Sequence, residues 1–510
     1  VAFHLREAAT LGRLFGGLPP PDLLERAVFW LRKAGDAAFA GAASTEAARH
    51  LAAAIDLAPT DAQPMLYERL GEVWVGGEQA LEAFERAYEL GREFGLGAEQ
   101  ELRTLAQAVL VAARWSGSVG VVRAPDEVQR RMARLRQLGT DPALSDRTRL
   151  LGQLAVSFST STSGAPGGDD LPAARTAAER ALELARRLDD PDLNSAALDA
   201  MASVAIQDNL AEEALEHLAE RLLLADRLTT NERVDAWIVT GWMHALLGQF
   251  PEADKALLEA RAGLASGQAA GWTLGATSWR MLVLHALGRW DEALVEAARA
   301  EALWRESELQ APWFSLAGFL AVIAVSRSRA DPVSADHWRA AATTIFQRSD
   351  PAIRTQRLVS FVNENLGALE RDVVADFMVF SGRIDYVYLA LGLLADRRHA
   401  AAVEHLDRII DYMEPRNLLL VSSQARRLRG LVLRSPEDLE HARATFAAMG
   451  ARPGEARATS ELGLLLRDEA MVLRGIEALE ALGDVDQARR VASEWESLPV
   501  VPPAERVDPA

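Results

Sequence analysis

One short pattern recurs along nearly the whole chain, and it limits the fold more than any other feature of the sequence. In the segment 28–59, Gly35 precedes Ala47 by twelve residues, and the same spacing joins Gly241 to Ala253 in the segment 234–265. Small residues on two successive helices allow their axes to cross closely. The pattern therefore predicts a helical hairpin as the repeated unit.

The second half of each unit carries an apolar face with helical spacing. Ala47, Leu51 and Ala54 stand at i, i+4 and i+7, and the residues from Ala253 to Ala260 repeat this spacing. Weaker copies elsewhere follow the same logic. The residues predicted to pack the hairpins are Gly35, Ala47, Ala54, Gly71, Gly241, Ala253, Ala260 and Ala293.

Roughly twelve such hairpins, with periods of about 34 to 42 residues, predict an all-α superhelix in which each unit buries its apolar face against its neighbours. No strand pattern competes with this interpretation. We expect a capping helix or a junction at 1–23 and the repeat array at 24–497. Within the array, residues 157–170 lack apolar periodicity and predict a loop, and the Pro-rich residues 498–510 predict a disordered tail.

Charge and composition exclude several classes of protein. The formal net charge of −18 repels phosphate backbones, so we expect no binding of nucleic acid by this chain alone. The absence of cysteine excludes disulfides, thiolate metal sites and a cysteine nucleophile, and it fits a reducing compartment. No apolar run is long enough to span a bilayer, and the first residues lack the layout of a signal peptide. These features predict a cytoplasmic protein without a membrane partner.

No group of residues has the spacing of an active site. The nine histidines are scattered without an HExxH motif, and no GxSxG elbow is present. Paired carboxylates such as Asp189 with Asp190 fall at helix ends, where they cap helices. We therefore predict no catalytic residue, no metal and no cofactor. An enzyme with its site in the channel of the superhelix is the less favoured alternative.

The two ends of the array resemble a known family. The segments 1–8 and 24–51, and later 424–466 and 477–495, are similar to the tetratricopeptide (TPR) region at the C-terminus of large ATP-dependent regulators of the actinobacterial type. Those proteins carry a P-loop ATPase ahead of the repeats, with a nucleotide cyclase before it or a LuxR-type DNA-binding module after it. This chain contains neither a GxxxxGK[ST] motif nor a basic recognition helix.

The resemblance also indicates where a partner would bind. Eight of the twelve tryptophans lie between positions 237 and 338. In tetratricopeptide arrays, the residue after the small residue of the first helix faces the concave groove. Trp242 follows Gly241 in this way and Phe319 follows Gly318, while Leu282 and His285 occupy the unit between them. These four residues are the predicted groove for a protein or peptide, and packing within the core is the alternative for the aromatic residues.

The sequence thus favours a non-catalytic array that binds proteins or peptides. By resemblance, it is the regulatory region of a signalling or transcriptional regulator, with an upstream ATPase or cyclase as a covalently linked partner. A free-standing adaptor is the main alternative. A third interpretation is a fragment of a transcriptional regulator that reaches DNA only through a module absent from this chain.

Overall fold

The structure is a computed structural model that describes residues 1–14, 20–41, 43–74, 77–115, 125–161, 170–208, 210–263, 270–306, 315–348 and 399–498. Across these ranges the chain forms 23 α-helices and no strand. Short 3-10 helices lie at Thr60–Ala62, Ala225–Arg227 and Glu414–Arg416. The described part of the chain is therefore all-α, as the repeat pattern predicts.

Within the described ranges, the helices follow one another in chain order. They are α1 (Ala2–Leu14), α2 (Pro21–Ala40), α3 (Ser44–Leu57), α4 (Gln63–Trp74), α5 (Glu78–Glu93), α6 (Ala98–Arg114), α7 (Pro125–Leu138), α8 (Asp146–Ser161), α9 (Leu171–Leu188), α10 (Pro191–Gln207), α11 (Ala211–Leu222) and α12 (Thr230–Leu246). The remaining ones are α13 (Phe250–Ala262), α14 (Ala270–Ala286), α15 (Trp290–Glu306), α16 (Leu316–Ser328), α17 (Pro332–Arg348), α18 (His399–Met413), α19 (Leu419–Leu433), α20 (Pro436–Met449), α21 (Arg452–Leu466), α22 (Glu469–Leu482) and α23 (Val485–Ser497).

Successive helices pack as antiparallel pairs, and the pairs stack on one another. Helix α2 packs on α3, α4 on α5, α12 on α13 and α14 on α15, while α14 also contacts the first helices α12 and α16 of the neighbouring pairs. Each pair buries apolar faces against the neighbouring pairs, which is the packing of a repeat array. The result is a TPR-like superhelix.

The eight small residues predicted to pack the hairpins lie buried at helix crossings. A Cβ atom added to Gly241 would stand 2.7 Å from Leu257 Cγ and 3.3 Å from the Ala253 carbonyl oxygen. A Cβ atom added to Gly35 would meet Leu51 Cγ at 3.0 Å. These distances are shorter than ordinary van der Waals contact, so the two helices approach closely only because the glycine has no side chain.

Polar residues cap the N-terminal ends of several helices in the C-terminal part of the chain. Ser435 caps α20, because its Oγ accepts a hydrogen bond of 3.3 Å from the Asp438 N–H, and Pro436 occupies the first helical position. Asp468 and Asp484 cap α22 and α23 through the same side-chain bond to an N–H three residues later. Such caps satisfy amide groups that have no partner inside the helix.

The C-terminal helices pack against the middle of the array. A Cβ atom added to Gly288, in the turn between α14 and α15, would lie 2.4 Å from Leu482 Cδ2 at the end of α22. Trp290 shares an apolar cluster with Val472 and Leu479 of α22. The Asn417 amide of the later segment also donates to Glu212 of α11 over 3.1 Å. Helices α19–α23 therefore cover one edge of α12–α16.

Two predicted boundaries change. Helix α8 continues to Ser161, so the prediction of a loop from residue 157 is wrong for 157–161. Phe158 extends the buried face of this helix, and the Thr160 hydroxyl donates to the Val156 carbonyl over 2.6 Å, which allows a polar run to be buried inside a helix. Helix α2 begins at Pro21, slightly before the predicted boundary of the array.

Other predictions about the segments are not tested. Residues 162–169 of the predicted loop and 499–510 of the predicted tail lie outside the described residues. Among the helices that the structure describes, none is long and apolar enough to cross a membrane.

Candidate functional site

Three of the four predicted groove residues are buried, and the prediction that they line an open groove is wrong. Leu282 and His285 are each 2% exposed, and Phe319 is fully buried. His285 stacks on Trp290 with ring centroids 6.3 Å apart, and Phe319 stacks on Trp338 at 6.0 Å. These side chains serve as packing, which was the alternative left open for the aromatic residues.

The physical reason is the cover that the rest of the chain provides. Helix α16 is buried on every side at its described positions from Leu316 to Val325. Residues of α12, α14 and α16 share one apolar core with residues of α18–α21. A sequence pattern shows which residues share a helix face, but it does not show that a later segment of the same chain packs against that face.

Trp242 remains partly exposed, and it has an aromatic neighbour on the next first helix. Its ring stacks on Trp279 of α14 with centroids 5.1 Å apart and an angle of 25° between the planes. Trp237 and Trp272 are also partly exposed and pack, together with Trp279, on the cluster around Val234. We call Trp242 and Trp279 the tryptophan pair. It joins the first helices of two neighbouring repeat units.

A buried ionic cluster joins four helices beside this region. Arg221 of α11 is fully buried and donates to Asp199 Oδ1 of α10 at 3.1 Å and to Asp235 Oδ2 of α12 at 2.5 Å. Arg114, at the end of α6, donates to Asp199 Oδ2 at 2.6 Å and to Glu232 Oε1 at 2.6 Å. Two guanidinium groups thus share three carboxylates. We call these five residues the buried ionic cluster.

Burial and the charges of the two arginines shift the pKa values of Glu232 and Asp235 in opposite directions. Burial raises the pKa of Glu232, but the charge and the hydrogen bonds of Arg114 outweigh burial and lower it to about 2. Burial also raises the pKa of Asp235, and here the opposing charge of Arg221 does not compensate, so the pKa rises to about 6. The cluster therefore holds a proton more readily at Asp235 than at Glu232.

A second network surrounds a cleft between α13, α14 and α15. Arg280 of α14 is 5% exposed and donates to Asp254 Oδ1 at 2.7 Å and to Glu296 Oε1 at 2.6 Å. Beside it lies a cleft of about 280 Å³, whose lining includes Arg261, Arg299 and Glu296. Charged groups from three helices therefore converge on one concave feature of the surface.

Neither network is predicted from the sequence, because the burial of a charged side chain depends on residues that are far away in the chain. One signal was present. Asp199 interrupts the run Ala196 to Ala202, in which the other residues are small or apolar and buried. A carboxylate at such a position needs a charged partner, since an unpaired buried charge is costly. The sequence does not show that the partners are Arg114 and Arg221, which lie on other helices.

No group of three or more His, Asp or Glu side chains within the described residues has an arrangement that could hold a metal ion. The ionised groups described above are paired with one another in structural networks, and such networks perturb pKa values without catalysis.

Comparisons with known proteins add little to this picture. No known family model matches the chain. No curated protein matches it either. Among solved structures, the chain is similar to the yeast Tom70 crystal structure, with 14% sequence identity over 93% of this chain and 100% of that chain. The TM-score of 0.33 is too low for this likeness to carry an argument about fold or function.

Proposed function

We propose that the chain is a non-catalytic, TPR-like array that binds a protein or peptide partner. The observation that supports this most directly is the tryptophan pair, in which Trp242 and Trp279 from adjacent units stack at 5.1 Å and stay partly exposed. Tryptophan is enriched at interfaces because a large rigid ring binds with little loss of conformational entropy. An extended peptide that crosses α12 and α14 meets both rings.

The test is selection of peptides from a random display library, followed by measurement of each selected peptide on variants. Trp242→Ala and Trp279→Ala should each weaken binding about tenfold or more, since a central aromatic anchor carries about 2 kcal/mol. Trp30→Ala is the matched control, because Trp30 is 42% exposed on α2, far along the array. Selected peptides that bind both variants as tightly as the parent chain would overturn this assignment.

A finer proposal follows from the resemblance of the chain ends to ATP-dependent regulators. We propose that the array is the regulatory region of such a regulator, and that its binding of a partner controls an attached ATPase or cyclase. The test is the genomic reading frame around the coding sequence. An in-frame P-loop ATPase upstream supports a regulatory region, while a stop codon directly upstream of the start of this chain favours the free-standing adaptor.

A further inference from the structure

The cleft between α13, α14 and α15 has an uneven distribution of charge. Three guanidinium groups converge on one oxygen of Glu296: Arg261 and Arg280 donate to Oε1 at 2.6 Å each, and Arg299 donates at 3.0 Å. Arg280 is also neutralised by Asp254 at 2.7 Å. Arg261 and Arg299 therefore share a single carboxylate, and the wall of the cleft carries an excess of positive charge.

These two arginines also have unused donors. A guanidinium group binds a carboxylate best through two parallel N–H bonds. Within the described part of the chain, Arg261 and Arg299 each donate one hydrogen bond, and both bonds go to the same oxygen of Glu296. Their side chains are 33% and 62% exposed, so the remaining N–H groups can reach a ligand. The chemistry that completes this arrangement is a second carboxylate.

Glu296 supplies a second, independent observation. This side chain lines the cleft and its residue is 2% exposed, yet its Oε2 atom is buried without a hydrogen-bond partner in the described residues. A buried carboxylate oxygen without a donor is costly, because it has lost water and gained nothing in exchange. The missing partner is an N–H or O–H donor. The three arginines thus bind Glu296 on one side only, through Oε1.

An acidic peptide carries carboxylates on a chain that can lie along the cleft. Its side-chain carboxylate can accept from the remaining N–H groups of Arg261 and Arg299. Leu303 and Ala300 add an apolar wall for the methylene groups of the ligand, and Thr273 is a partly exposed lining residue. A phosphate ion offers acceptors for the arginines but no carbon chain and no amide. We propose that this cleft binds an acidic segment of a peptide partner.

This site differs from the tryptophan pair in its position. Arg261 and Arg299 lie on α13 and α15, the second helices of their units, whereas Trp242 and Trp279 lie on the first helices α12 and α14. The proposal rests on the proposed function, peptide binding, but uses other residues. Each of the two can therefore fail without the other.

The experiment measures binding of acetylated tetraglutamate amide to the full chain by calorimetry at physiological salt. The matched tetraglutamine peptide lacks the charge, glutarate lacks the peptide N–H, and inorganic phosphate lacks both the amide and the carbon chain. We expect saturable binding of tetraglutamate that weakens at high salt, much weaker binding of glutarate, and none of tetraglutamine. Arg299→Ala and Arg261→Ala should each weaken binding about tenfold to a hundredfold, as expected for a charged hydrogen bond.

Arg305→Ala is the matched control. Arg305 lies on the same helix as Arg299 and is 68% exposed, but it pairs with Glu301 at 2.6 Å and does not line the cleft. This variant should bind tetraglutamate like the parent chain, and circular dichroism should show all three variants folded. Because Arg299 is largely exposed, its substitution leaves the core intact. Trp242→Ala, measured in parallel, should leave tetraglutamate binding unchanged.

Three results would overturn the proposal. They are no saturable binding of tetraglutamate, equal loss of binding in Arg305→Ala and Arg299→Ala, and binding of phosphate as tight as that of the peptide. The last result would show an anion site without selectivity for peptides. If Arg299→Ala abolishes tetraglutamate binding while the selected peptides ignore Trp242→Ala, the cleft is correct and the tryptophan pair is not the binding surface.

Discussion

Replacing Arg221 with methionine removes a fully buried charge and tests how the middle of the array is held together. Arg221 donates to Ser195, Asp199, Glu232 and Asp235. Methionine keeps much of the volume but donates nothing, so three carboxylates would share only Arg114. Breaking one side of a buried ion pair costs about 3 to 5 kcal/mol. We expect a loss of stability of this size near pH 8.

The loss should shrink on acidification. The charge of Arg221 lowers the pKa values of Glu232 and Asp235, so both rise without it, and the folded variant binds protons at a higher pH than the parent chain does. The free energy of unfolding, measured by urea denaturation with circular dichroism at several pH values, should therefore show a difference that decreases toward about pH 4. Hydrogen exchange should locate the weakened protection in α10–α12.

Arg186→Met provides the control for this experiment. Arg186 pairs with Glu220 at 3.2 Å, but its side chain is 60% exposed, so its loss should change stability by no more than about 0.5 kcal/mol. A cost of less than about 1 kcal/mol for Arg221→Met, the range of a surface ion pair, would contradict this prediction. A cost that is the same at every pH would contradict it as well.

Four further predictions use the same unfolding measurements. Asp235→Asn should stabilise the chain by about 1 to 3 kcal/mol near neutral pH. The pKa of Asp235 is about 6 in the folded state and near 4 in the unfolded state, so its ionisation destabilises the folded chain increasingly as the pH rises above about 4. Glu232→Gln should do the reverse. The pKa of Glu232 is about 2 in the folded state, below its usual value, so its ionised carboxylate stabilises the fold at any pH above that usual value, and this stability is lost as the pH falls toward 2. The substitution should therefore cost about 2 to 4 kcal/mol at neutral pH. Equal signs for these two substitutions would contradict the description of the cluster. Ser435→Ala should cost about 0.5 to 2 kcal/mol through the lost cap of α20, and Ser435→Asp should restore most of it. Gly241→Val should cost about 1 to 3 kcal/mol, because its Cβ would stand 2.7 Å from Leu257 Cγ. Adding Leu257→Ala should recover part of this loss, and no recovery would mean that the two helices move apart instead.

The sequence predicts the repeated unit well because that unit depends on local spacing. Gly35, Gly241 and their partners stand where a helical period places them, and neighbouring units in the chain are neighbours in space. Helix starts such as the one at Ser435 are equally local. The error at 157–161 arose from the opposite situation. A run of serine and threonine resembles a loop in composition, but the Thr160 and Ser161 hydroxyls donate to carbonyl groups of their own helix, and Phe158 holds it in the core.

The candidate sites depend on contacts between residues far apart in the chain. Trp242 was predicted from its position after Gly241, but the stack with Trp279 requires the relative rotation of two units. Local spacing places His285 and Phe319 at groove positions, but it does not show that α19–α23 cover this edge. Arg114 and Glu232 are 118 residues apart and still form an ion pair. Such pairs form only when the superhelix brings their helices together, so local spacing in the sequence does not predict them.

The buried charges also bear on how this array can respond to a partner. Arg280 ties α13 to α15 through Asp254 and Glu296, so the helices around the cleft are fixed before a ligand arrives and binding loses little entropy in ordering them. The edge of α12–α16 is held as well, because the turn at Gly288 contacts Leu482. A mechanism that bends the array must separate these surfaces. Regulation by a change in curvature would therefore require a ligand that binds the array more tightly when these surfaces are separated than when they are in contact.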